Sequence, residues 1–193
     1  LSSLGWQGAG DERMFVFGNA ARDLQGNKHP VRFTPRVAEL ARSTEAQGTL
    51  DRWKQLAALY EGDEYAPAQA LILISMGAPL HALTGEAGGV VNLWTTKSGY
   101  GKTAILRTAL SVWSGVHTPG MSETLMMGKT TDVGSEIKLT QANSLPVGMD
   151  EITKRIEGVD RKAKESMRDF IYHSTQGQGK TRSKSSADGL RPT

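Results

Sequence analysis

Two short segments of the chain have a residue spacing that can bind phosphate. Residues 95–103 read TTKSGYGKT and residues 174–181 read STQGQGKT, and both end in Gly-x-Gly-Lys-Thr. In such a loop the glycines let backbone N–H groups turn toward an anion, the lysine reaches the terminal phosphates, and the threonine hydroxyl binds Mg²⁺. The spacing does not distinguish the two segments, so the elements around each must decide which one binds a nucleotide.

The elements around the first segment are those that a phosphate loop requires. VVNLW at 90–94 predicts a short buried strand, and AILRTALSVW at 104–113 predicts a helix with its apolar side chains on one side. A helix that begins where the loop ends directs its N-terminal dipole at the phosphate. The second segment instead follows a predicted helix and precedes the polar run RSKSSADG. We therefore expect it to have a different role.

We predict a nucleotide-binding loop over residues 96–103, with ATP as the nucleotide. Lys102 is expected to contact the terminal phosphates and Thr103 to bind Mg²⁺. The usual pattern is Gly-x-x-x-x-Gly-Lys-Ser/Thr, and this sequence departs from it because Thr96 stands where the first glycine belongs. The full set of predicted nucleotide-binding residues is Thr96, Lys97, Ser98, Gly99, Tyr100, Gly101, Lys102 and Thr103.

A second segment, SLPVGMDEI at 144–152, predicts a buried strand that ends in two carboxylates. Asp150 is expected to hold the Mg²⁺ with its bound water, and Glu151 to polarise the water that attacks the γ-phosphate. The 48 positions from Lys102 to Asp150 are enough for a helix and a crossover to a neighbouring strand. The predicted catalytic residues are therefore Lys102 and Glu151, and the predicted metal ligands are Thr103 and Asp150.

The order of predicted elements indicates an α/β P-loop NTPase core, in which helices flank a parallel sheet that is incomplete at its C-terminal end. We divide the chain into a strand-rich segment at 1–34, a helical segment at 35–84 that packs on the core, and a partial ATPase core at 85–193. The ATPase core includes a predicted basic hairpin at 176–193.

The composition of the chain excludes some kinds of site and favours some kinds of partner. The 193 residues include no cysteine, which excludes disulfides, thiolate zinc sites and cysteine nucleophiles. The lack of cysteine suits a reducing compartment, and we expect a cytoplasmic protein. The apolar stretch at 70–83 is interrupted by Gly77 and Pro79 and is too short to span a bilayer, so we expect no membrane partner. Residues 152–193 carry ten Lys or Arg and five Asp or Glu, whereas the net charge of the whole chain is only +3. A basic end on a near-neutral body indicates a polyanionic partner.

Three segments together resemble a known group of proteins. GEAGGVVNLWTTKSGYGKTAILRTALSVWSG at 85–115, VGMDEI at 147–152 and GQGKTRSKS at 177–185 resemble the helicase-like P-loop ATPases of phages, prophages and plasmids, including primase–helicase proteins. The resemblance extends from GWQ near the N-terminus to the last residues. It implies an ATP-driven DNA helicase motor that acts in replication. It also implies a homo-oligomer, a hexameric ring, with a primase or other replication proteins as partners.

The resemblance also suggests a role for the second Gly-Lys-Thr segment. Ring helicases similar to superfamily 3 have a β-hairpin after the Asp-Glu strand and its helix, and the basic tip of that hairpin grips single-stranded DNA. Lys180, Arg182 and Lys184 alternate along the chain, so on a strand they would share one face and contact DNA phosphates. Two other interpretations stay open: a disordered basic loop, and a role for one of these cations in sensing the nucleotide of a neighbouring subunit.

Two other functions stay open at this point. The chain could serve a P-loop ATPase that remodels or loads protein partners, with the basic tail contacting a partner. It could also be a degenerate module that assembles on ATP without turnover. Stimulation of hydrolysis by single-stranded DNA separates the helicase from the remodelling ATPase. The polar sensor residue and the arginine finger of such motors are expected beyond residue 193.

Overall fold

The computed structural model describes residues 1–85, 88–96, 99–115, 125–127 and 132–150, together with residues 165, 168, 169, 171 and 172. The strands are β1 (Gly5–Gln7), β2 (Met14–Phe17), β3 (Ala20–Asp23), β4 (Lys28–Pro30), β5 (Met126–Met127) and β6 (Gly148–Met149). The helices are α1 (Pro35–Ser43), α2 (Leu50–Ala58), α3 (Ala66–Gly77), α4 (His81–Thr84), α5 (Lys102–Leu110) and α6 (Asp132–Ala142).

The first four strands form an antiparallel sheet in the order β1-β2-β3-β4. Val16 of β2 lies opposite Gly5 of β1 and Ala21 of β3. Val16 and Ala21 are fully or almost fully buried, and they join Val37 and Leu40 of α1 in the larger apolar core. Alternating apolar residues on short strands bury this face of the sheet, as the period of two requires.

The tight connection between β3 and β4 is organised by one carboxylate. Asp23 accepts hydrogen bonds from the backbone N–H groups of Gln25 and Asn27, and its Oδ2 lies 2.9 Å from Nε2 of His29. The side chain of Asn27 also donates to Asp23. Hydrogen bonds from the side chains of His29 and Asn27, followed by those from the two backbone amides, lower the pKa of Asp23 from 3.8 to about 2.

The N-terminal sheet is attached to the connection between α6 and β6. Leu4 N donates to Gln141 O at 2.8 Å, and Trp6 N donates to Ser144 Oγ at 2.9 Å. Asn143, with a positive φ of 53°, turns the chain after α6, and its Nδ2 donates to the carbonyl oxygens of Leu4 and Trp6. Since β6 begins four residues after Ser144, the N-terminal sheet fixes the entry to the strand that precedes Asp150.

Helix α1 begins where the sequence predicts a start. Thr34 is the N-cap residue in an extended conformation, and Pro35 follows at the first helical position. Proline suits that position because its missing N–H would have no partner within the helix. Helix α2 also begins after a threonine N-cap, and there the side chain of Thr49 accepts a hydrogen bond from Arg52 N.

The sequence predicted that Gly77 and Pro79 interrupt the apolar stretch at 70–83, but in the structure the helical run continues past both residues. Helical residues continue from Asp63 to Thr84, because Pro79 lies within a 3₁₀ turn at Ala78–Leu80 that needs no N–H from it. This run of 22 residues has a mean hydropathy of 1.3, and 22% of its apolar window is buried in the structure. By length and composition alone it could cross a membrane, and a core helix of a soluble protein can pass the same test.

The prediction of a buried strand at 90–94 is wrong for the structure described here. Residues 88–95 form neither helix nor strand, and Val90, Val91 and Trp94 are exposed, Trp94 to 76%. A strand needs a neighbour for its backbone hydrogen bonds, and among the described residues no strand pairs with this segment. The parallel pairing that the structure does describe joins β5 to β6, with Met126 opposite Gly148.

Helix α5 lies between two apolar clusters. The larger cluster contains Leu110 together with core residues of the sheet, α1 and α6. The smaller one contains Leu71 and Ile72 of α3 and Ala109 of α5. Leu106 packs against both clusters. The helix that follows the predicted phosphate loop is therefore held on two sides.

Candidate nucleotide-binding site

The chain enters α5 through two glycines in the left-handed conformation. Gly99 has φ of 84° and Gly101 has φ of 74°, a region that residues with a Cβ atom adopt only at a cost. Gly101 is the N-cap of α5, and its carbonyl oxygen accepts from Ile105 N at 2.9 Å. Lys102 is the first helical residue. The loop therefore ends at the N-terminus of a nine-residue helix, where free N–H groups favour an anion.

Thr103 and Asp150 meet at this N-terminus. Thr103 Oγ1 donates to Asp150 Oδ2 at 2.9 Å, and both residues are partly buried. Asp150 directly follows β6, so the strand end delivers its carboxylate to the first turn of α5. A hydroxyl and a carboxylate side by side are hard oxygen donors of the kind that Mg²⁺ prefers. The donor set therefore fits a magnesium ion held next to a bound phosphate.

The face of α5 that carries Thr103 also packs closely against β6. Thr103, Leu106 and Leu110 follow each other at the spacing that places side chains on one side of a helix. A Cβ atom added to Gly148 would lie 2.6 Å from Leu110 Cδ1 and 2.9 Å from Leu106 Cδ1. Glycine at 148 thus lets the strand pack directly on the two leucines. This contact aligns Asp150, two residues later, with Thr103.

The structure describes part of the predicted nucleotide loop. Thr96 lies in an exposed bend, Tyr100 is 62% exposed, and Lys102 is partly buried in the first turn of α5. The structure brings the two predicted metal ligands, Thr103 and Asp150, together. The remaining predicted residues lie outside the described part of the chain, and they are Lys97, Ser98, Glu151, Lys180, Arg182 and Lys184.

Two contributors to this site were not identified from the sequence. Gly148 had a signal, because a glycine inside a predicted strand often marks the close approach of another element. Ser75 had none. Its hydroxyl donates to the carbonyl oxygen of Ala109 at 2.6 Å, across 34 residues of sequence. This bond ties α3 to the C-terminal turn of α5.

Among the described residues, no cluster of three or more His, Cys, Asp and Glu side chains could form a metal site made of such residues alone. The pair of Thr103 and Asp150 would form a different kind of site. Mg²⁺ is commonly bound by one or two protein oxygens and completed by phosphate and water.

Comparison with known proteins gives one match. No curated protein and no solved structure matches the chain. Residues 1–191 match a family model described as "Domain of unknown function (DUF927)". Because the match covers nearly all of the 193 residues, the chain belongs to the DUF927 family.

Proposed function

We propose that the chain forms the ATP-binding part of a DNA helicase motor that acts in the replication of a phage or plasmid. The observation that carries the proposal is the hydrogen bond between Thr103 and Asp150 at the N-terminus of α5. A hydroxyl in the first turn after a glycine-rich loop, bonded to a carboxylate at the end of a strand, is the arrangement that P-loop NTPases use to hold Mg²⁺ beside the phosphates.

Each residue of the site has a role that follows from its position. The N–H groups of the loop and of the first turn of α5 bind the phosphate oxygens. Lys102 places a positive charge at the terminal phosphates, where charge develops during phosphoryl transfer. Thr103 and Asp150 would hold Mg²⁺, and the ion would supply positive charge that offsets the charge of the phosphates. Glu151 orients the attacking water.

The DNA-binding part of the proposal depends on sequence alone. Lys180, Arg182 and Lys184 grip the phosphates of single-stranded DNA, a contact that needs charge but no base reading. In this proposal the full-length protein works in the cytoplasm as a homo-oligomeric ring, together with a primase or other replication proteins.

The test is ATP hydrolysis by the full-length protein with and without single-stranded DNA. We expect DNA to raise the rate. Lys102→Ala should abolish hydrolysis under both conditions, because the charge at the terminal phosphates is lost. Combined replacement of Lys180, Arg182 and Lys184 by Ala should remove only the stimulation.

The matched control replaces three exposed cations of the N-terminal region, Lys28, Arg32 and Arg36, by Ala. This triple variant lowers the positive charge equally and should keep the stimulation. Hydrolysis that DNA leaves unchanged would contradict the motor, and binding of ATP without any turnover would contradict an enzyme of either kind.

A further inference from the structure

The backbone of the C-terminal turn of α5 accepts a hydrogen bond from the side chain of another helix. The last four carbonyl groups of a helix have no partner within it and need other donors. Three are satisfied locally: Arg107 O by Ser111 N, Thr108 O by Ser111 Oγ, and Leu110 O by Trp113 N and Ser114 N. The fourth, Ala109 O, accepts from Ser75 Oγ at 2.6 Å. Ser75 is 4% exposed, so water cannot readily replace this bond.

The backbone of Ser75 forms a second link to the same region. Trp113 Nε1 donates to Ser75 O at 2.7 Å, and Ala78 N donates to the same oxygen. In a regular helix this oxygen would also accept from the residue four positions later, but that residue is Pro79, which has no N–H. Pro79 therefore frees an acceptor for the Trp113 indole. Ser75 is bonded to the end of α5 through both its side chain and its carbonyl group.

The N-terminal sheet reaches the same place. Trp6 Nε1 donates to Pro79 O at 3.0 Å. The ring of Trp113 contacts Phe15 and Phe17 of β2 edge-on, with ring centroids 6.1 and 5.6 Å apart. We call Trp6, Ser75, Pro79 and Trp113 the indole junction. The sheet, α3 and the end of α5 meet there.

Helix α2 and the residues after it add two more hydrogen bonds to the last turn of α5. Trp53 Nε1 donates to Ser111 Oγ at 3.0 Å, and the hydroxyl groups of Tyr60 and Thr108 lie 3.3 Å apart. Leu106 and Leu110 of α5 pack on β6 through apolar contacts, and such contacts have little directional preference. Hydrogen bonds are directional, so the bonds at the C-terminal turn set how far α5 can slide or rotate on β6.

We infer that the indole junction positions the phosphate loop, with Ser75 as its central positioning residue, and that it couples bound nucleotide to the N-terminal sheet. Helix α5 is one continuous helix of nine residues. A shift at Ala109 is therefore transmitted to Thr103 and changes its fit to Asp150. This inference rests on the proposed ATP site. By linkage, a junction that improves nucleotide binding is itself changed when the nucleotide binds.

The test compares two buried serines in the full-length protein. Ser75→Ala removes the bond to Ala109. Ser114→Ala removes a similarly buried hydroxyl four residues after α5 ends, which has no hydrogen-bond partner among the described residues, and it serves as the matched control. Equilibrium binding of Mg·ATP is measured for both, alongside the urea midpoint of each variant. We expect Ser75→Ala to weaken binding about fivefold and Ser114→Ala to leave it unchanged.

A spectroscopic readout separates coupling from general loss of stability. The protein is labelled with 5-fluorotryptophan, and the ¹⁹F signal of Trp113 is assigned by its loss in Trp113→Phe. We expect Mg·ATP to shift this signal in the wild type and in Ser114→Ala, and to shift it less in Ser75→Ala. Trp113→Phe keeps a ring in the aromatic cluster but loses the bond to Ser75 O. It should also weaken Mg·ATP binding, and it replaces Ser75→Ala if that variant does not fold.

Three results overturn the inference, and they are distinguishable. If the wild type binds Mg·ATP and Lys102→Ala does not, but Ser75→Ala and Trp113→Phe bind as the wild type does, the junction does not position the loop. If affinity falls but the Trp113 signal does not respond to nucleotide, the coupling is refuted. If the wild type itself does not bind Mg·ATP, the proposed function fails and the inference fails with it.

Discussion

Thr103 and Asp150 are separated by 47 positions in the chain, yet their side chains share a hydrogen bond of 2.9 Å. The contact forms because Gly148 lets β6 pack on Leu106 and Leu110 of α5. Thr103 lies on the same side of that helix, and Asp150 lies two residues beyond Gly148. The packing of Leu106 and Leu110, one and two helical turns after Thr103, thus aligns the Thr103 hydroxyl with the Asp150 carboxylate.

The first prediction concerns magnesium. Thr103→Ala removes the hydroxyl oxygen that we propose as a metal ligand, whereas Thr103→Ser keeps it and is the matched control. We expect the Mg²⁺ concentration for half-maximal ATP hydrolysis to rise about 10- to 100-fold in Thr103→Ala and to stay close to the wild-type value in Thr103→Ser. The measurement is the hydrolysis rate at fixed ATP over a range of Mg²⁺ concentrations. An unchanged magnesium requirement in Thr103→Ala would exclude this residue as a ligand.

The second prediction concerns Gly148. Its replacement by Ala places a methyl group inside contact distance of Leu106 and Leu110, so the leucines or the strand must shift. Such overpacking costs about 1–3 kcal/mol in the free energy of unfolding, measured by urea denaturation. Gly77→Ala is the control, because a Cβ there meets no atom within 4 Å and the residue lies in a helix. Equal midpoints for the two variants would refute the close packing of β6 on α5.

The third prediction concerns the β3–β4 connection. NMR titration should give Asp23 a pKa of about 2, and His29→Ala should raise it toward 3.8, because the hydrogen bond from His29 is the largest cause of the shift. The folded-state pKa is depressed, so Asp23 stabilises the fold above pH 3.8. This contribution is lost as the pH falls toward 2. A pKa near 3.8 for Asp23 in the wild type would contradict the described hydrogen bonds.

Local patterns in the sequence were sufficient to predict the features that depend only on neighbouring residues. The sequence predicted a turn at Gly101, which glycine's conformational freedom allows, and a helix after it, which the spacing of its apolar residues indicates. The structure has both. Thr34 and Pro35 mark the start of α1 for equally local reasons. Asp150 was identified because it ends an apolar run, and the structure places it after β6.

Features that depend on distant partners were not predictable in this way. The apolar residues at 90–94 favour a strand by composition, but composition does not supply the neighbouring strand, and Trp94 is exposed. Pro79 predicts a break, yet it fits a 3₁₀ turn and frees Ser75 O for an indole 38 residues away. No short pattern encodes that pairing, since it exists only after α3 and α5 have packed together.

Equilibrium titration of the full-length protein with Mg·ATP decides whether the loop before α5 binds this nucleotide. The wild type is compared with Lys102→Ala and with Lys28→Ala, which removes an exposed lysine of β4 far from the loop in sequence. We expect saturable binding by the wild type and Lys28→Ala, and loss of binding in Lys102→Ala. Absence of binding by the wild type, or equal binding by Lys102→Ala, would contradict the proposed site.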